Sequence, residues 1–206
     1  MSHVTAFLDD MGRLLGNIDQ AAVDRLVALL ASVRQENGRV FVLGLGGSAG
    51  NASHAAADLR RLAGVDAYCP TDNVNEFSAA INDDGWEDCL AVMLRTAHLG
   101  PGDLVIVFSV GGGDLGRGVS VPLVRACQYG AARGSRVVSV VGRREGAVVP
   151  LSDVVIHVTS GNSATLTMHA EAAQAVLWHL LVCDPRLRQR PGHWEKLLET
   201  SRVPRP

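Results

Sequence analysis

Several features are missing from this sequence, and each absence narrows the class of protein it belongs to. No apolar run reaches the roughly 18 residues that span a bilayer, and the start of the chain lacks the pattern of a secretion signal. The four cysteines are never spaced as CxxC, which argues against a zinc ribbon or a disulfide framework. They are Cys69, Cys89, Cys127 and Cys183. The sequence therefore predicts a soluble cytoplasmic protein with reduced core thiols.

An excess of one charge is missing too. The chain has 19 basic and 21 acidic residues, for a net charge of -2, and Lys196 is its single lysine. Partners such as nucleic acid or an anionic membrane are attracted by basic clusters, so neither is expected here. The GK[ST] sequence of a Walker loop is also absent, which argues against a nucleoside triphosphate site.

What the sequence does have is an alternation of short β-branched runs with helical patterns. Strands are predicted at 39–43, 65–69, 104–108, 136–141 and 154–158. Helices are predicted at 3–16, 20–36, 48–63, 74–81, 86–98, 119–133 and 164–183. This order predicts an α/β fold, a doubly wound parallel five-stranded sheet with N-terminal helices. We expect one domain over residues 1–187 and a polar C-terminal tail over 188–206, with one or two helical turns.

Glycine is concentrated in two loops, GLGGSAG at 44–50 and SVGGGDLGRGVS at 109–120, after the first and third predicted strands. Backbone N–H groups in such loops, together with a helix N-terminus, favour the binding of a phosphate at the carboxyl ends of the strands. The predicted phosphate-binding residues are Gly47, Ser48, Ser109, Gly111, Gly112 and Ser120. Two alternatives stay open: the glycines serve only tight turns, or Gly44-x-Gly46-x-x-Ala49 is a loose dinucleotide fingerprint.

Four polar residues form a second pattern. His54 and Asp58 are four apart and share a helix face, while Glu171 and His179 are eight apart and can also converge. Two imidazoles and two carboxylates suit zinc or a similar divalent ion, or metal-free acid–base chemistry. The alternatives are a plain surface pair for His54 and Asp58, and a solvated helix face for Glu171 and Gln174. His179 interrupts an apolar run and is therefore expected to be buried.

Long strings of this sequence resemble a known family. GLGGSAGNASHAAADL, NDDGWED, FSVGGGD and the run from His169 to Val182 resemble the SIS (sugar isomerase) domain of the phosphoheptose isomerase group. The resemblance extends to about Leu187. It implies a flavodoxin-like, doubly wound fold and a homotetramer whose active sites are lined by more than one subunit. It also implies conversion of sedoheptulose 7-phosphate to a heptose 7-phosphate, with zinc in several members.

The resemblance also assigns roles by position. Ser48, Ser109 and Ser120 correspond to the phosphate-binding serines. The expected catalytic residues are Asp58, Glu171 and His179, and the expected metal ligands are His54, Asp58, Glu171 and His179. His169, Asp72 and Asn73 are weaker candidates for contact with substrate hydroxyls. Asp103, Trp86 and Trp194 are expected to be structural.

This sequence departs from the family pattern at several positions. Asp58 stands in place of Glu and Glu171 in place of Gln, and the usual STSGNS is here SVGGGD, followed by about six inserted residues. Leu45 replaces the usual Asn, so the predicted phosphate site depends more on backbone N–H groups. The leading hypothesis is a sugar-phosphate isomerase. The alternatives are a non-catalytic SIS adaptor or sugar-phosphate sensor, and a different SIS reaction such as aminosugar isomerisation or lactyl-ether cleavage.

Overall fold

The parallel sheet is built from five short strands that lie side by side in the order β2-β1-β3-β4-β5. The computed structural model describes residues 1–201, with side chains described up to residue 198. The strands are β1 Arg39–Leu43, β2 Asp66–Tyr68, β3 Leu104–Ser109, β4 Arg136–Val141 and β5 Val154–His157. The strand order reverses between β1 and β3, which confirms the predicted doubly wound sheet and puts its ligand crevice at the ends of these two strands.

Helices cover both faces of the sheet. They are α1 His3–Gly16, α2 Gln20–Gln35, α3 Gly47–Ala63, α4 Val74–Asp84, α5 Cys89–Thr96, α6 Val121–Ala132, α7 Leu166–Cys183 and α8 His193–Ser201. The helix predicted at 86–98 is shorter, because the chain leaves α4 through Gly85 at a φ of 89° and makes a further turn before α5 begins. The tail forms α8, which is longer than the one or two turns predicted.

Two apolar layers sandwich the sheet. Helices α1, α2, α3 and α7 pack on one face, and α4, α5 and α6 pack on the other. From their sequence patterns alone, the helices at 3–16 and 20–36 are predicted to have more apolar surface than a five-stranded sheet can cover, which favours an interface between subunits. For α2 this is wrong, since Leu26, Val27 and Leu30 are buried against the sheet. On α1, Val4 and Leu8 remain exposed.

A partly buried ion pair between Arg39 and Asp103 closes the end of the sheet opposite the glycine loops. The Asp103 carboxylate accepts hydrogen bonds from the Arg39 guanidinium at 2.7 Å, from the Arg39 N–H at 2.9 Å and from the Gly100 N–H at 3.0 Å. Burial alone would raise the pKa of Asp103, but these hydrogen bonds outweigh it and hold the pKa below its usual value. Asp103 is therefore structural, as the sequence indicated.

The cysteines match the predicted core role with one exception. Cys69, Cys89 and Cys127 are buried, and burial raises the pKa of the Cys127 thiol to about 12. Cys183 is exposed at the end of α7, so its assignment to the core was wrong. No helix within residues 1–201 has the length and hydropathy needed to cross a bilayer.

Candidate active site

The first glycine loop leads from β1 into α3, whose N-terminus faces the crevice between β1 and β3. Gly46 precedes the helix at a φ of 61°, and no side chain caps the helix start. The N–H groups of a helix's first turn have no partners within the helix and can bind an anion. Ser48 lies in this turn and is buried. The loop thus has the backbone that the phosphate prediction requires.

The second glycine loop is held rigidly by the loop that follows β4. The carbonyls of Val110, Gly112 and Gly113 accept hydrogen bonds from backbone N–H groups of residues 142–148. The Ser109 hydroxyl accepts a hydrogen bond from the Gly112 N–H at 3.0 Å, so that amide is already occupied. Gly112, at a φ of 69°, is also packed so close to Gly146 that a side chain would not fit. The Gly112 N–H, one of the predicted phosphate ligands in this loop, is thus already bonded within the protein.

The inserted residues before α6 form a small hairpin. Asp114 and Val119 pair as an antiparallel bridge, and the Asp114 carboxylate accepts a hydrogen bond from the Arg117 N–H at 3.1 Å. Ser120 follows the hairpin in the left-handed region, at a φ of 51°, and its side chain makes no capping bond to α6. Non-glycine residues in this region are strained and concentrate at functional sites. Asn37 and His98 share this conformation in turns that precede β1 and β3, so it does not test the predicted role of Ser120 in phosphate binding.

Helices α3 and α7 meet along a row of polar side chains that we call the α3–α7 seam. It consists of Gly47, Asn51, His54 and Asp58 on α3 and of Glu171, Gln174, Trp178 and His179 on α7. The Asn51 side-chain amide ties the two helices together, since its nitrogen donates to the Glu171 carbonyl at 2.9 Å and to the Gln174 Oε1 at 3.0 Å. Asn51, Gln174 and Trp178 were not predicted as site residues. The spacing of Asn51, three residues before His54 on the same face, was the available signal.

One end of the seam brings together His54, Asp58 and His179, which we call the His–Asp cluster. One ligand atom from each lies within 4.8 Å of the others, and His54 Nε2 is 3.7 Å from Asp58 Oδ2. His179 Nδ1 must donate to the Ala175 carbonyl, 2.8 Å away, which leaves Nε2 as the free lone pair. Tetrahedral zinc places its ligand atoms about 3.4 Å apart. The cluster therefore fits zinc after a small contraction.

Exposure of the cluster differs from the prediction. The side chain of His54 is 61% exposed and that of Asp58 is 20% exposed. His179 is exposed as well, although its apolar neighbours suggested a buried residue. Val176 and Leu180, on the same helix, are also exposed, so the apolar run of α7 reaches the surface of the chain.

Glu171 lies at the other end of the seam, apart from the His–Asp cluster. Its carboxylate rests against Gly47, where an added Cβ would come within 2.4 Å of Oε2. Three of the four predicted groups thus meet, and the fourth lies roughly two helical turns away. The alternative of a solvated helix face is wrong for Gln174, which is fully buried.

The weaker candidates lie outside the seam. His169 is buried, with Nε2 donating to the Phe7 carbonyl at 3.1 Å and Nδ1 accepting from the Thr165 hydroxyl at 2.9 Å. Both ring nitrogens are used, so the predicted substrate contact of His169 is wrong. Asn73 caps α4 and, like Asp72, lines a cavity of about 490 Å³ beside β2. The described lining of this cavity does not include the His–Asp cluster.

Comparisons with known proteins agree with this architecture. Residues 6–142 match the family model of the SIS domain. The lincomycin biosynthesis protein LmbN of Streptomyces lincolnensis is 33% identical over 189 residues, covering 88% of this chain and 68% of that protein. The phosphoheptose isomerase of Chlorobaculum tepidum is 28% identical over 153 residues, covering 71% of this chain and 70% of the enzyme.

Solved structures share the fold at lower identity. The phosphoheptose isomerase GmhA of Neisseria gonorrhoeae superimposes with a TM-score of 0.74 at 21% identity, over 87% of this chain and 94% of that one. The Vibrio vulnificus NanR protein complexed with ManNAc-6P has a TM-score of 0.63 at 17% identity, over 96% of this chain and 65% of that one. The family model matches well over half of the sequence, and the chain belongs to the SIS domain family.

Proposed function

We propose that the protein is a sugar-phosphate ketose–aldose isomerase that converts sedoheptulose 7-phosphate to a heptose 7-phosphate. The observation that carries the proposal is the α3–α7 seam, which holds a carboxylate at one end and the His–Asp cluster at the other. An isomerase needs a base near the reacting carbons and an acid near the oxygens. Phosphoheptose isomerases among the sequence relatives support this reaction class.

The substrate phosphate binds at the N-terminus of α3 in this proposal. The proposed ligands are the first-turn N–H groups of α3, the hydroxyls of Ser48, Ser109 and Ser120, and the Gly111 N–H, all of which lie at or after the carboxyl ends of β1 and β3 in sequence. In this proposal the helix dipole and the hydrogen bonds of the two glycine loops supply the affinity. The inserted hairpin before Ser120 borders the same crevice.

Proton transfer then follows along the seam. Without a metal, Glu171 takes a proton from C1 of the ketose while the protonated form of His179 gives its Nε2 proton to the C2 carbonyl oxygen, which gives a 1,2-enediol. Return of the proton to C2 and loss of the O1 proton complete the aldose. His54, Asp58 and His179 would hold a zinc ion, which would polarise the substrate oxygens in place of protonation by His179, because its Nε2 would then be a metal ligand. The Glu171 carboxylate lies against Gly47, so in this proposal it turns along the seam towards the reacting carbon.

We also propose that the functional form is a homotetramer. Val4 and Leu8 on α1 and Met168, Val176 and Leu180 on α7 are exposed apolar side chains, and three of them lie on the helix that carries His179. A second subunit covering this surface would enclose the exposed His–Asp cluster. Light scattering at micromolar concentration should give about four times 21.8 kDa. A monomer under these conditions would refute the assembly.

One assay tests the proposed reaction. The purified protein is incubated with sedoheptulose 7-phosphate, and the product is followed by NMR with and without a chelator. We expect an aldose 7-phosphate, with turnover lost on chelation and restored by added Zn²⁺ if the cluster holds the metal. Binding of the sugar phosphate without any product, in the presence of Zn²⁺, would instead support the alternative, a non-catalytic sensor or adaptor.

A further inference from the structure

Two buried hydrogen-bond donors lie without a partner beneath the His–Asp cluster. Within residues 1–201, the buried side-chain atoms without a hydrogen-bond partner are His157 Nδ1, Gln174 Nε2 and Trp178 Nε1. Gln174 is 0% exposed and Trp178 is 2% exposed. These two residues are one turn apart on α7, on its buried side. Buried donors are almost always paired in native proteins, so both N–H groups are expected to have an acceptor.

The orientation of the Gln174 amide is fixed by its neighbour. Its Oε1 accepts from the Asn51 nitrogen, and Asn51 is held by the Glu171 carbonyl. Turning the Gln174 amide over would bring two NH₂ groups face to face, which removes a hydrogen bond and creates a repulsion. Gln174 therefore cannot satisfy its nitrogen by turning towards Asn51.

Trp178 supports both histidines of the cluster. The centre of its ring lies 4.4 Å from that of His54 and 3.4 Å from that of His179. A group that accepts a hydrogen bond from the indole N–H therefore fixes the position of the indole ring, which both imidazoles contact. Residues that support metal-ligating histidines in this way affect metal affinity as well as packing.

We propose that one water molecule is bound between Gln174 Nε2 and Trp178 Nε1, and that this water makes Gln174 a positioning residue for His54 and His179. Side chains four apart on a helix are neighbours, with Cβ atoms about 5–6 Å apart, so one oxygen can accept from both donors. Water suits the place because the donors are sealed from solvent and one water oxygen can accept both bonds. The water itself follows from the packing, and only its effect on the histidines rests on the proposed function.

An isostere tests the water without changing the packing. Site-specific incorporation of 3-benzothienylalanine at position 178 puts sulfur in place of the indole N–H and keeps the shape of the ring. If the N–H holds a water, the variant unfolds at lower denaturant concentration than the wild type. If the N–H has no partner, removing it raises the midpoint or leaves it unchanged, and the proposal is overturned.

Gln174→Met supplies the second arm. If the two donors share one water, Gln174→Met and the isostere together should lower the free energy of unfolding no more than the larger single change does. Additive losses of unfolding free energy would contradict a shared water. Titration with Zn²⁺ should show affinity lowered about 10-fold or more by either change. Gln35→Met, at the exposed end of α2, is the matched control and should leave Zn²⁺ affinity unchanged.

These measurements separate the proposal from the isomerase function. Unfolding and Zn²⁺ titration use no substrate, so a protein without isomerase activity still gives a result in both. Unchanged Zn²⁺ affinity in Gln174→Met would overturn the positioning role even if the water is there. A crystal structure of the free protein with no density between the two donors would overturn the water itself.

Discussion

Glu171→Gln should lower the turnover of sedoheptulose 7-phosphate by about 10²-fold or more, the usual scale for loss of a general base. The substitution keeps the shape of the side chain and removes its charge. Glu171 is the seam carboxylate that lies outside the His–Asp cluster, so the cluster should still bind Zn²⁺. The measurements are kcat and KM by NMR, with circular dichroism and light scattering to check the fold and assembly. Glu36→Gln, exposed after α2, is the matched control.

Glutamine at position 171 would also restore the residue that the sequence pattern of the resembled family has there. Unchanged turnover in Glu171→Gln would therefore remove Glu171 from the chemistry and leave Asp58 as the remaining base candidate. If Asp58→Asn also left turnover unchanged, the proposed proton transfer in the seam would be wrong. The alternative of a non-catalytic adaptor or sugar-phosphate sensor would then be favoured.

Asp103→Asn should lower the free energy of unfolding by about 3 kcal/mol. The change leaves the Arg39 guanidinium half-buried without its counter-charge and weakens the bonds to the N–H groups of Arg39 and Gly100. Urea unfolding at neutral pH measures the loss. Asp24→Asn is the control, because its ion pair with Arg186 is exposed on both sides and should contribute at most about 1 kcal/mol.

The pH dependence of this loss has a fixed sign. The pKa of Asp103 in the folded protein lies below its ordinary value of 3.8, because the hydrogen bonds outweigh the effect of burial. The charged form therefore adds stability above the unfolded pKa, and this contribution is lost as the pH falls through the folded value. The difference between wild type and Asp103→Asn should shrink on acidification below about pH 4. A difference that stays constant from neutral pH to pH 2 would contradict the role of the charge.

Most of the fold could be predicted because local pattern and tertiary structure agree. β3 is apolar at almost every position and is buried on both faces, as a central parallel strand should be. The predicted helix boundaries were wrong where a backbone dihedral angle sets the end of a helix. Gly85 ends α4 at a φ of 89°, and the sequence shows the glycine but not its φ. The apolar face of α2 is buried against the sheet of the same chain. A helical pattern in sequence cannot distinguish such burial from burial against a second subunit.

The candidate site was predictable only where its residues are close in sequence. His54 and Asp58 meet because four residues separate them on one helix, and spacing alone showed this. The position of Glu171 depends on how α7 is aligned along α3 when the two helices pack. The local sequence of either helix does not specify this alignment. The exposure of His179 was missed for a related reason, since apolar neighbours indicate burial in general but not whether the same chain provides the cover.

The α3–α7 seam can form only late in the synthesis of the chain. Asn51 and the Glu171 carbonyl that it binds are 120 residues apart, so α3 leaves the ribosome long before its partner helix has been translated. Strands β1 to β4 are complete by then, and the sheet can begin to form from contacts of shorter range. The apolar side of α3 that packs on α7 meanwhile stays uncovered on the nascent chain. A chain that ends before α7 therefore leaves this side of α3 exposed and lacks the α3–α7 seam.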